Sequence, residues 1–342
     1  MSDTRRALLS ALAEGPVSGP ELADQLDISR AAVWKHVESL REEGFVVEST
    51  PNGYVVADVP EYGGPAIEYG LEADYDVEFH EVLASTNERA RELAAEGASD
   101  IVVVARKQSA SKGRKERVWT SPDGGVWMSV LIRPDEPPAF APLYTLAMAV
   151  AVCDAAREAG VDASIKWPND VIVSEANNRS SGSPESDGVI VSEANNRSSG
   201  AQASNHDYRK LCGILTEMEG EADRVSWLVI GPGINVNIDP EALPEEATSV
   251  AIESGPVERR VFVQRVLERF DELHADLDSV LPAWRERADT LGRRVRVHTA
   301  SGVIEGEAID IEHPGTLVVR TDDGEKRVHA GDCEHLRPAP EA

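Results

Sequence analysis

Residues 18–45 read SGPELADQLDISRAAVWKHVESLREEGF and predict a pair of helices joined by a tight turn. Leu22 and Leu26 lie about one helical turn apart and mark the apolar side of a first helix. Residues 27–29 predict a tight turn that ends on a serine, a residue type that caps helix N-termini. A second helix is predicted over 30–43 and is followed by a glycine. Its inward positions recur at helical spacing and are Val33, Val37 and Leu40.

The sequence on either side completes this unit. An earlier helix over 5–14 is stopped by a Gly-Pro pair, and two β-type runs over 45–56 flank a Pro-Asn-Gly turn, which indicates a hairpin. Three helices followed by a hairpin describe a winged helix-turn-helix, and we predict this DNA-binding domain over 1–60. The residues expected to contact DNA, together with the hairpin tip, are Ser29, Arg30, Trp34 and Lys35.

The charge of this unit argues against nucleic acid. Residues 1–60 carry 10 acidic and 5 basic side chains, and a negative field repels phosphate backbones. The shape of the unit therefore favours DNA binding, whereas its charge favours a protein–protein or dimer-supporting module. Both interpretations stay open.

The whole chain is acidic as well. Its 342 residues include 34 Lys and Arg against 61 Asp and Glu, a formal net charge of −27 at pH 7. Seven of the basic residues are lysines, so the position of each lysine is informative. Salt shortens the Debye length to about 3 Å at 1 M and so screens self-repulsion. An acidic, lysine-poor chain therefore suggests a halophilic setting, which is a hypothesis about environment and not about activity.

Length and composition restrict the class of protein further. The length suggests two or three domains, and 41% hydrophobic residues are enough for a core. The sequence contains no run of 18 or more apolar residues, so we predict no membrane span. The N-terminus does not read as a secretory signal. The chain has three cysteines, an odd number, which argues against a secreted fold stabilised by disulfides. Together these features predict a cytoplasmic protein.

Beyond residue 60 the chain changes character twice. Residues 61–75 read as a linker. Over 76–288, β-type runs alternate with helical patterns, which predicts an α/β-type domain with a mixed sheet. Residues 289–342 hold short strands separated by glycine turns and predict an SH3-like β-barrel. The predicted fold class is therefore α+β.

One segment of the central domain is a local duplication. VIVSEANNRSSG occurs at 171–182 and again at 189–200. Between residues 174 and 205, 18 of 32 residues are Ser, Asn, Gly or Pro, a composition that cannot bury a core. We predict a low-complexity insertion over 174–205 that lengthens a hairpin into a flexible loop, and a partner-binding arm is the alternative.

Residues 106–117 read RKQSASKGRKER and are a basic outlier in this acidic chain. Six of the twelve residues are basic, and small residues between them would let the backbone approach a ligand closely. This composition suits a polyphosphate held by charge-assisted hydrogen bonds. A solvated basic loop or a nucleic-acid patch would have the same composition.

Two further segments add lysines to the same domain. Residues 166–170 read KWPND at a predicted strand end, and residues 209–217 read RKLCGILTE on entering a strand. With the basic loop they hold five of the seven lysines. Because lysine supplies a compact and directable ammonium group, three such segments predict one anionic site. A lone Lys-Trp-Pro would equally suit an ordinary strand end with a packed indole.

Taken together, these segments resemble the biotin–protein ligase family, in its two-function form with an N-terminal DNA-binding domain. The resemblance covers nearly the whole chain apart from the 174–205 insertion. The motifs follow the family's order and are STN at 85–87, Gln108 with the basic loop up to Trp119, SP at 121–122, KWPND at 166–170, KLCGIL at 210–215 and GPGINVN at 231–237.

The resemblance implies a two-step reaction. Biotin and ATP give biotinyl-5′-adenylate and pyrophosphate, and biotin then passes to a lysine of a carboxylase's biotin-carrier domain. The implied partners are this carrier domain, operator DNA and a second copy of the chain. No dedicated metal site is implied, and Mg²⁺ is expected to accompany ATP near Asp170.

The resemblance also assigns site residues. Ser85, Thr86 and Gln108 would satisfy the ureido ring of biotin, the basic loop would close over carboxylate and α-phosphate, and Lys210 would stabilise the departing charge. No covalent enzyme nucleophile is needed, so a buried thiol is the favoured interpretation of Cys212 over a thioester. The implied catalytic residues are Lys112, Arg114 and Lys210. The implied biotin-binding residues are Ser85, Thr86, Asn87, Gln108, Lys112, Gly113, Arg114, Lys210 and Gly213. The implied ATP-binding residues are Arg114, Trp119, Lys166, Asn169, Asp170 and Asn235.

The basic loop departs from the family pattern. The family's loop commonly reads GRGRRGR, whereas residues 111–117 read SKGRKER, with two glycines fewer and one acidic residue. Arg114 is retained. The departure concerns adenylate retention and motivates one alternative, a biotin-sensing transcription regulator without transferase activity. A second alternative is a lipoate-type acyl-adenylating ligase, although Gln108 and KWPND point to biotin.

Overall fold

The computed structural model describes residues 3–111, 113, 121–174, 208–221 and 223–336. The N-terminal domain is a winged helix-turn-helix, as predicted. Its elements are α1 (Asp3–Ala13), α2 (Gly19–Gln25), α3 (Arg30–Glu42), β1 (Val46–Thr50) and β2 (Gly53–Asp58).

Local sequence explains these boundaries. The hydroxyl of Ser18 accepts the backbone N–H of Glu21, and that of Ser29 accepts the N–H of Ala32, so both helices have side-chain caps. Gly53 has a φ of +122°, and a Cβ there would collide with the backbone of Val17. The β1–β2 turn therefore requires glycine.

The segment predicted as a linker is folded. Residues Gly64–Glu68 form helix α4, and Tyr62, Ile67 and Tyr75 are buried. The hydroxyl of Tyr69 donates to the carbonyl of Leu12, 3.4 Å away in α1. The predicted linker thus connects the two domains as a folded segment, whose apolar side chains pack between the N-terminal and central domains.

A seven-stranded mixed sheet forms the central domain. Its strand order is β3-β4-β5-β9-β8-β7-β6, with β3 and β4 parallel and the other neighbouring pairs antiparallel. The elements are β3 (Asp76–Leu83), α5 (Thr86–Ala95), β4 (Ile101–Gln108), β5 (Val126–Ile132), α6 (Ala141–Glu158), β6 (Ala163–Lys166), β7 (Asp170–Ser174), β8 (Tyr208–Gly220), β9 (Val225–Ile234), α7 (Val250–Ser254), α8 (Arg259–Ala275) and α9 (Val280–Arg287).

Helices cover both faces of this sheet. Helix α5 packs on the face that carries Val103, Leu131 and Val229. Helices α6 and α8 pack on the opposite face, within the main core. By length and composition alone, Pro138–Glu158 would also suit a membrane span, but most of this apolar segment is buried in the core.

A second, five-stranded antiparallel sheet ends the described chain. Its order is β13-β12-β11-β10-β14, and its core is continuous with that of the central domain. The strands are β10 (Arg294–Thr299), β11 (Gly302–Glu312), β12 (Thr316–Thr321), β13 (Gly324–Val328) and β14 (Asp332–His335). The short strands predicted within 289–342 are confirmed.

The two sheets meet at Trp167. Its indole N–H donates to the carbonyl of Gly315 at 3.1 Å, and its backbone N–H donates to the hydroxyl of Thr290 at 2.9 Å. The indole is therefore both packed and hydrogen-bonded. These bonds fix the β6–β7 turn, which carries Lys166 and Asp170, against the C-terminal sheet.

Candidate active site

A cavity of about 860 Å³ lies where the N-terminus of α5, the central strands and the C-terminal sheet meet. Its size is that of a small-molecule site. Eleven of the residues selected from the sequence line it. They are Ser85, Thr86, Asn87, Gln108, Gly113, Lys166, Asn169, Asp170, Lys210, Gly213 and Asn235.

Three selected residues lie outside the described residues. They are Lys112, Arg114 and Trp119 of the basic loop. Their roles in catalysis and in ligand binding stay predictions. Ser111 and Gly113, which lie beside this part of the loop, line the cavity.

One end of the cavity is neutral and has a fixed pattern of hydrogen-bond donors and acceptors. Gln108 Oε1 accepts the backbone N–H of Thr86 at 2.7 Å, which fixes the orientation of the Gln108 amide. Gln108 Nε2 donates to the hydroxyl of Ser121 at 3.3 Å, and its second proton is a donor for a ligand. Ser85 caps helix α5, so its hydroxyl accepts the N–H of Glu88 at 3.4 Å.

The amide of Asn87 belongs to the wall of this neutral end. Its nitrogen lies 2.7 Å from Glu217 Oε2 and 3.3 Å from the carbonyl of Leu215, and its oxygen lies 2.6 Å from the hydroxyl of Ser129. A Cβ at Gly231 would collide with this oxygen. Asn87 is thus used by the fold even though it lines the cavity.

The other end of the cavity is cationic. Lys210 Nζ lies 2.7 Å from Asp170 Oδ1, and Lys166 Nζ lies 3.7 Å from Asp170 Oδ2. Two ammonium groups from separate strands therefore converge on one carboxylate. The two ammonium groups and the one carboxylate together carry a formal charge of +1.

Lys166 stays charged although its side chain is nearly buried. Burial, the largest single effect, would lower the pKa of this ammonium group, but Asp170 together with Tyr208 and Cys333 raises the pKa overall. The ring of Tyr208, with its centroid 5.5 Å from Lys166 Nζ, adds a cation–π contact.

Two asparagines of the predicted ATP site also hold the backbone. Asn169 Nδ2 donates to the carbonyl of Ile214 at 2.8 Å. Asn235 Nδ2 donates to the carbonyl of Lys210 at 3.4 Å. Both side chains therefore position strand β8, the strand that carries Lys210 and Gly213.

The predicted DNA-binding residues share one element. Arg30, Trp34 and Lys35 are exposed on α3, and the indole of Trp34 is 55% exposed. Ser29 is exposed at the N-cap of the same helix. Their placement matches that of a recognition helix in a helix-turn-helix.

Comparison with known proteins agrees with the cavity and the domain order. Residues 79–235 match the Biotin/lipoate A/B protein ligase family, residues 4–55 match an HTH domain, and residues 290–336 match the Biotin protein ligase C terminal domain. The chain is 35% identical over 336 residues to the bifunctional ligase/repressor BirA of Bacillus subtilis (strain 168), covering 93% of each protein. The chain belongs to the biotin–protein ligase family, in its bifunctional ligase/repressor form.

More distant members of this biotin–protein ligase family align over similar lengths. The bifunctional ligase/repressor BirA of Escherichia coli (strain K12) is 26% identical over 329 residues, with 92% of each protein covered. The solved biotin protein ligase from Aquifex aeolicus in complex with biotin and ATP is 24% identical, with a TM-score of 0.58. The match covers 77% of this chain and 99% of the Aquifex chain, and it supports the fold.

The structure of this ligase adds cavity residues that the sequence did not indicate. The C-terminal sheet supplies His298, Asp332, Cys333 and Glu334 to one wall, and Tyr208 lies beside Lys166. No local motif marks the four residues of the C-terminal sheet, because they reach the cavity only through the contact between the two sheets. The predicted C-terminal barrel was assigned no part in the site.

Two features of the described residues bear on the chemistry of the site, a buried cysteine and the absence of a metal-binding group. Cys212 is buried, and burial raises the pKa of its thiol, so it suits a packing role and not a nucleophile. Within 3–111, 113, 121–174, 208–221 and 223–336, no three His, Cys, Asp or Glu side chains form a metal-binding group.

Proposed function

We propose that this cavity activates biotin with ATP and then transfers the biotinyl group to a lysine of a carboxylase's biotin-carrier domain. The observation that carries the proposal is the division of one cavity into a neutral end with hydrogen-bonding groups and an end with two lysines. The two ends suit the two halves of biotin, its ureido ring and its carboxylate.

The neutral end fits a ureido group. Such a group needs one donor for its carbonyl and acceptors for its N–H groups. Gln108 Nε2 offers a donor, and the hydroxyls of Ser85 and Thr86 offer acceptors. Met128, Leu215 and Leu243 supply apolar surface in the same cavity. A lipoyl ring would leave these polar groups without partners, which disfavours lipoate.

The cationic end fits the reacting groups. The biotin carboxylate attacks the α-phosphorus of ATP, the bond to the β-phosphate breaks, and pyrophosphate leaves. Lys210 and Lys166 would offset the negative charge that gathers there, so catalysis is mainly electrostatic stabilisation and positioning. We assign Lys112 and Arg114 to closing over the adenylate, and Trp119 to binding ATP, as the family resemblance implies.

Magnesium would enter with the nucleotide. Asp170, the carboxylate beside the lysines, is already paired with both of them. A Mg²⁺ ion in this cavity would therefore be held mainly by ATP phosphates and water, with Asp170 nearby.

The second step, transfer of biotin to the acceptor lysine, needs no covalent nucleophile from the enzyme. The acceptor lysine attacks the acyl carbon of biotinyl-5′-AMP, an amide forms, and AMP leaves.

We place the protein in the cytoplasm, in agreement with three buried cysteines that form no disulfide.

We further propose that adenylate binding promotes a homodimer that binds operator DNA through α3 of each copy. Supporting this proposal, the recognition face with Arg30, Trp34 and Lys35 is exposed, and the N-terminal domain packs on the central domain through α4. Ligand, dimer and DNA would then be thermodynamically linked.

The ligase proposal is tested by ATP–pyrophosphate exchange that depends on biotin, measured at high salt with lipoate as the control substrate. Lys210→Ala should reduce the exchange rate by about two orders of magnitude or more, because it removes a charge that acts in the transition state. The control Lys326→Ala, at an exposed lysine of β13, should keep the rate. Exchange with lipoate but not with biotin would contradict the proposed substrate, and an unchanged Lys210→Ala rate would remove Lys210 from the site.

The repressor proposal is tested by gel shift on the DNA upstream of the protein's own gene. The double variant Arg30→Ala, Lys35→Ala should abolish the shift that depends on biotin and ATP, because it removes both basic side chains of α3's exposed face. Biotin-dependent exchange should be unchanged in this variant. A retained shift would mean that α3 does not contact DNA.

A further inference from the structure

The polar wall of the cavity extends to two residues outside it, Ser129 and Glu217. Neither of them is among the described residues that line the cavity. Ser129 is fully buried on β5, and the Glu217 side chain on β8 is 30% exposed. Both contact Asn87, which in turn lies beside Thr86.

Glu217 determines how the amide of Asn87 is oriented. A carboxylate can only accept hydrogen bonds, so the group 2.7 Å from Glu217 Oε2 must be the Asn87 nitrogen. The second proton of that nitrogen points to the carbonyl of Leu215. The Asn87 oxygen must therefore face Ser129.

Ser129 transmits this orientation to Thr86. Its hydroxyl has one proton, and the Asn87 oxygen at 2.6 Å is an acceptor, so the proton is donated there. Ser129 Oγ also lies 2.8 Å from Thr86 Oγ1. Two acceptors lie within reach of the Thr86 proton, Ser129 Oγ at 2.8 Å and Gln108 Oε1 at 3.2 Å. With the Ser129 proton already used, Thr86 donates its own proton to the nearer one, Ser129.

The consequence reaches the cavity. When Thr86 donates into the wall, the lone pairs of its oxygen are left for the cavity side. The neighbouring acceptor, Gln108 Oε1, already receives the backbone N–H of Thr86. The cavity then presents one acceptor from Thr86 beside one donor from Gln108.

We infer that Ser129 and Glu217 are positioning residues that hold Thr86 as the acceptor for one ureido N–H of biotin. This inference rests on the proposed function. Without Ser129, the Thr86 proton keeps only the longer contact to Gln108 Oε1, which already accepts the backbone N–H of Thr86. The proton can then also turn towards the cavity, where it would meet the N–H donor of the ligand. The loss would then be specific to that ligand proton and would not be a general loosening of the pocket.

The test compares ligands as well as variants. Calorimetry gives the dissociation constants of biotin and of its two analogues methylated at one or the other ureido nitrogen. Ser129→Ala should weaken biotin binding about tenfold, the effect of one buried hydrogen bond. It should weaken the analogue that lacks the N–H facing Thr86 by less than about twofold. The preference for biotin over that analogue therefore falls.

Substitutions of Glu217 add a conservative rescue. Glu217→Leu should act in the same direction as Ser129→Ala, because the Asn87 amide is then free to turn. Glu217→Gln keeps an acceptor oxygen and should restore biotin binding to within about threefold of the unchanged chain. Thr145→Val is the matched control, since it removes a hydroxyl bonded to Thr216 on the opposite face of the sheet.

The outcomes separate the two ideas. If the unchanged chain binds no biotin, the proposed function fails and this inference falls with it. If it binds biotin but Ser129→Ala weakens all three ligands equally, or weakens none, the inference alone is overturned. The inference is supported if Ser129→Ala selectively loses affinity for biotin and Glu217→Gln does not.

Discussion

At the scale of single residues, Asp170 organises the charge of the site. It accepts Lys210 at 2.7 Å and lies 3.7 Å from Lys166, so two lysines can share a nearly buried end of the cavity. The sequence places Lys166 and Asp170 at the two ends of one turn. It does not show that Lys210, on another strand, meets the same carboxylate, because that contact depends on the pairing of β7 with β8.

His335 leads to a prediction about pH. It is buried between the two sheets, with Nδ1 3.3 Å from Asp289 Oδ2 and Nε2 3.1 Å from the hydroxyl of Thr290. Burial lowers the pKa of its imidazole; Asp289 opposes this effect, whereas Lys166 and Arg293 add to it. The folded state therefore favours neutral His335.

The sign of the effect on stability follows directly. Below the unfolded-state pKa of about 6.5, the unfolded chain binds a proton that the folded chain does not. The free energy of unfolding therefore decreases as the pH is lowered, until the folded-state pKa is reached. The melting temperature should therefore fall between about pH 7 and about pH 5, and His335→Gln should flatten this fall. The lowered pKa of Asp289 acts in a more acidic window. Equal slopes for the two chains would contradict the prediction.

At the scale of elements, the sequence predicted what local pattern determines. The helix predicted over 30–43 is α3 (Arg30–Glu42), and the predicted hairpin is β1–β2. The sequence did not indicate that segment 61–75 is folded, because Tyr62, Ile67 and Tyr75 are buried through contacts with other parts of the chain. Periodicity within fifteen residues cannot reveal such contacts.

The same limit applies to the candidate site. The motifs located the cavity, since eleven selected residues line it. They did not distinguish ligand contacts from supports, as Asn87 and Asn169 show by bonding to Glu217 and to Ile214. That distinction depends on hydrogen bonds between residues that lie 45 to 130 positions apart.

Strand β9 supports the neutral end through one glycine. A side chain at Gly231 would displace the Asn87 oxygen, and with it the contacts to Ser129 and Thr86. Gly231→Ala should therefore weaken biotin binding about tenfold or more, measured by calorimetry. Gly63→Ala is the control, because a Cβ at Gly63 would meet no atom. Unchanged binding in Gly231→Ala would show that Asn87 can move without consequence.

At the scale of the whole molecule, Arg259 joins three parts of the chain. Its guanidinium lies 2.8 Å from Glu61, 3.2 Å from Asp123 and 4.2 Å from the ring centre of Tyr62. Glu61 and Tyr62 follow the N-terminal domain, Asp123 follows the basic loop, and Arg259 begins α8. Arg259 therefore connects Asp123 and α8 to the start of α4, on which the DNA-binding domain packs.

The net charge of −27 gives a last prediction, on the response to salt. With 61 acidic and 34 basic residues, self-repulsion destabilises the folded chain at low ionic strength, and salt screens this repulsion. DNA binding should respond in the opposite direction, because salt weakens contacts between basic side chains and phosphates. Raising potassium chloride from about 0.1 M to about 2 M should raise the melting temperature by about 5 °C or more. Over the same range, the affinity for operator DNA should fall, as measured by fluorescence anisotropy.

Because the two responses have opposite signs, a general effect of salt on folding cannot imitate both. A melting temperature that falls with salt would contradict the halophilic interpretation, while DNA affinity that does not change would contradict a phosphate-binding role for Arg30 and Lys35.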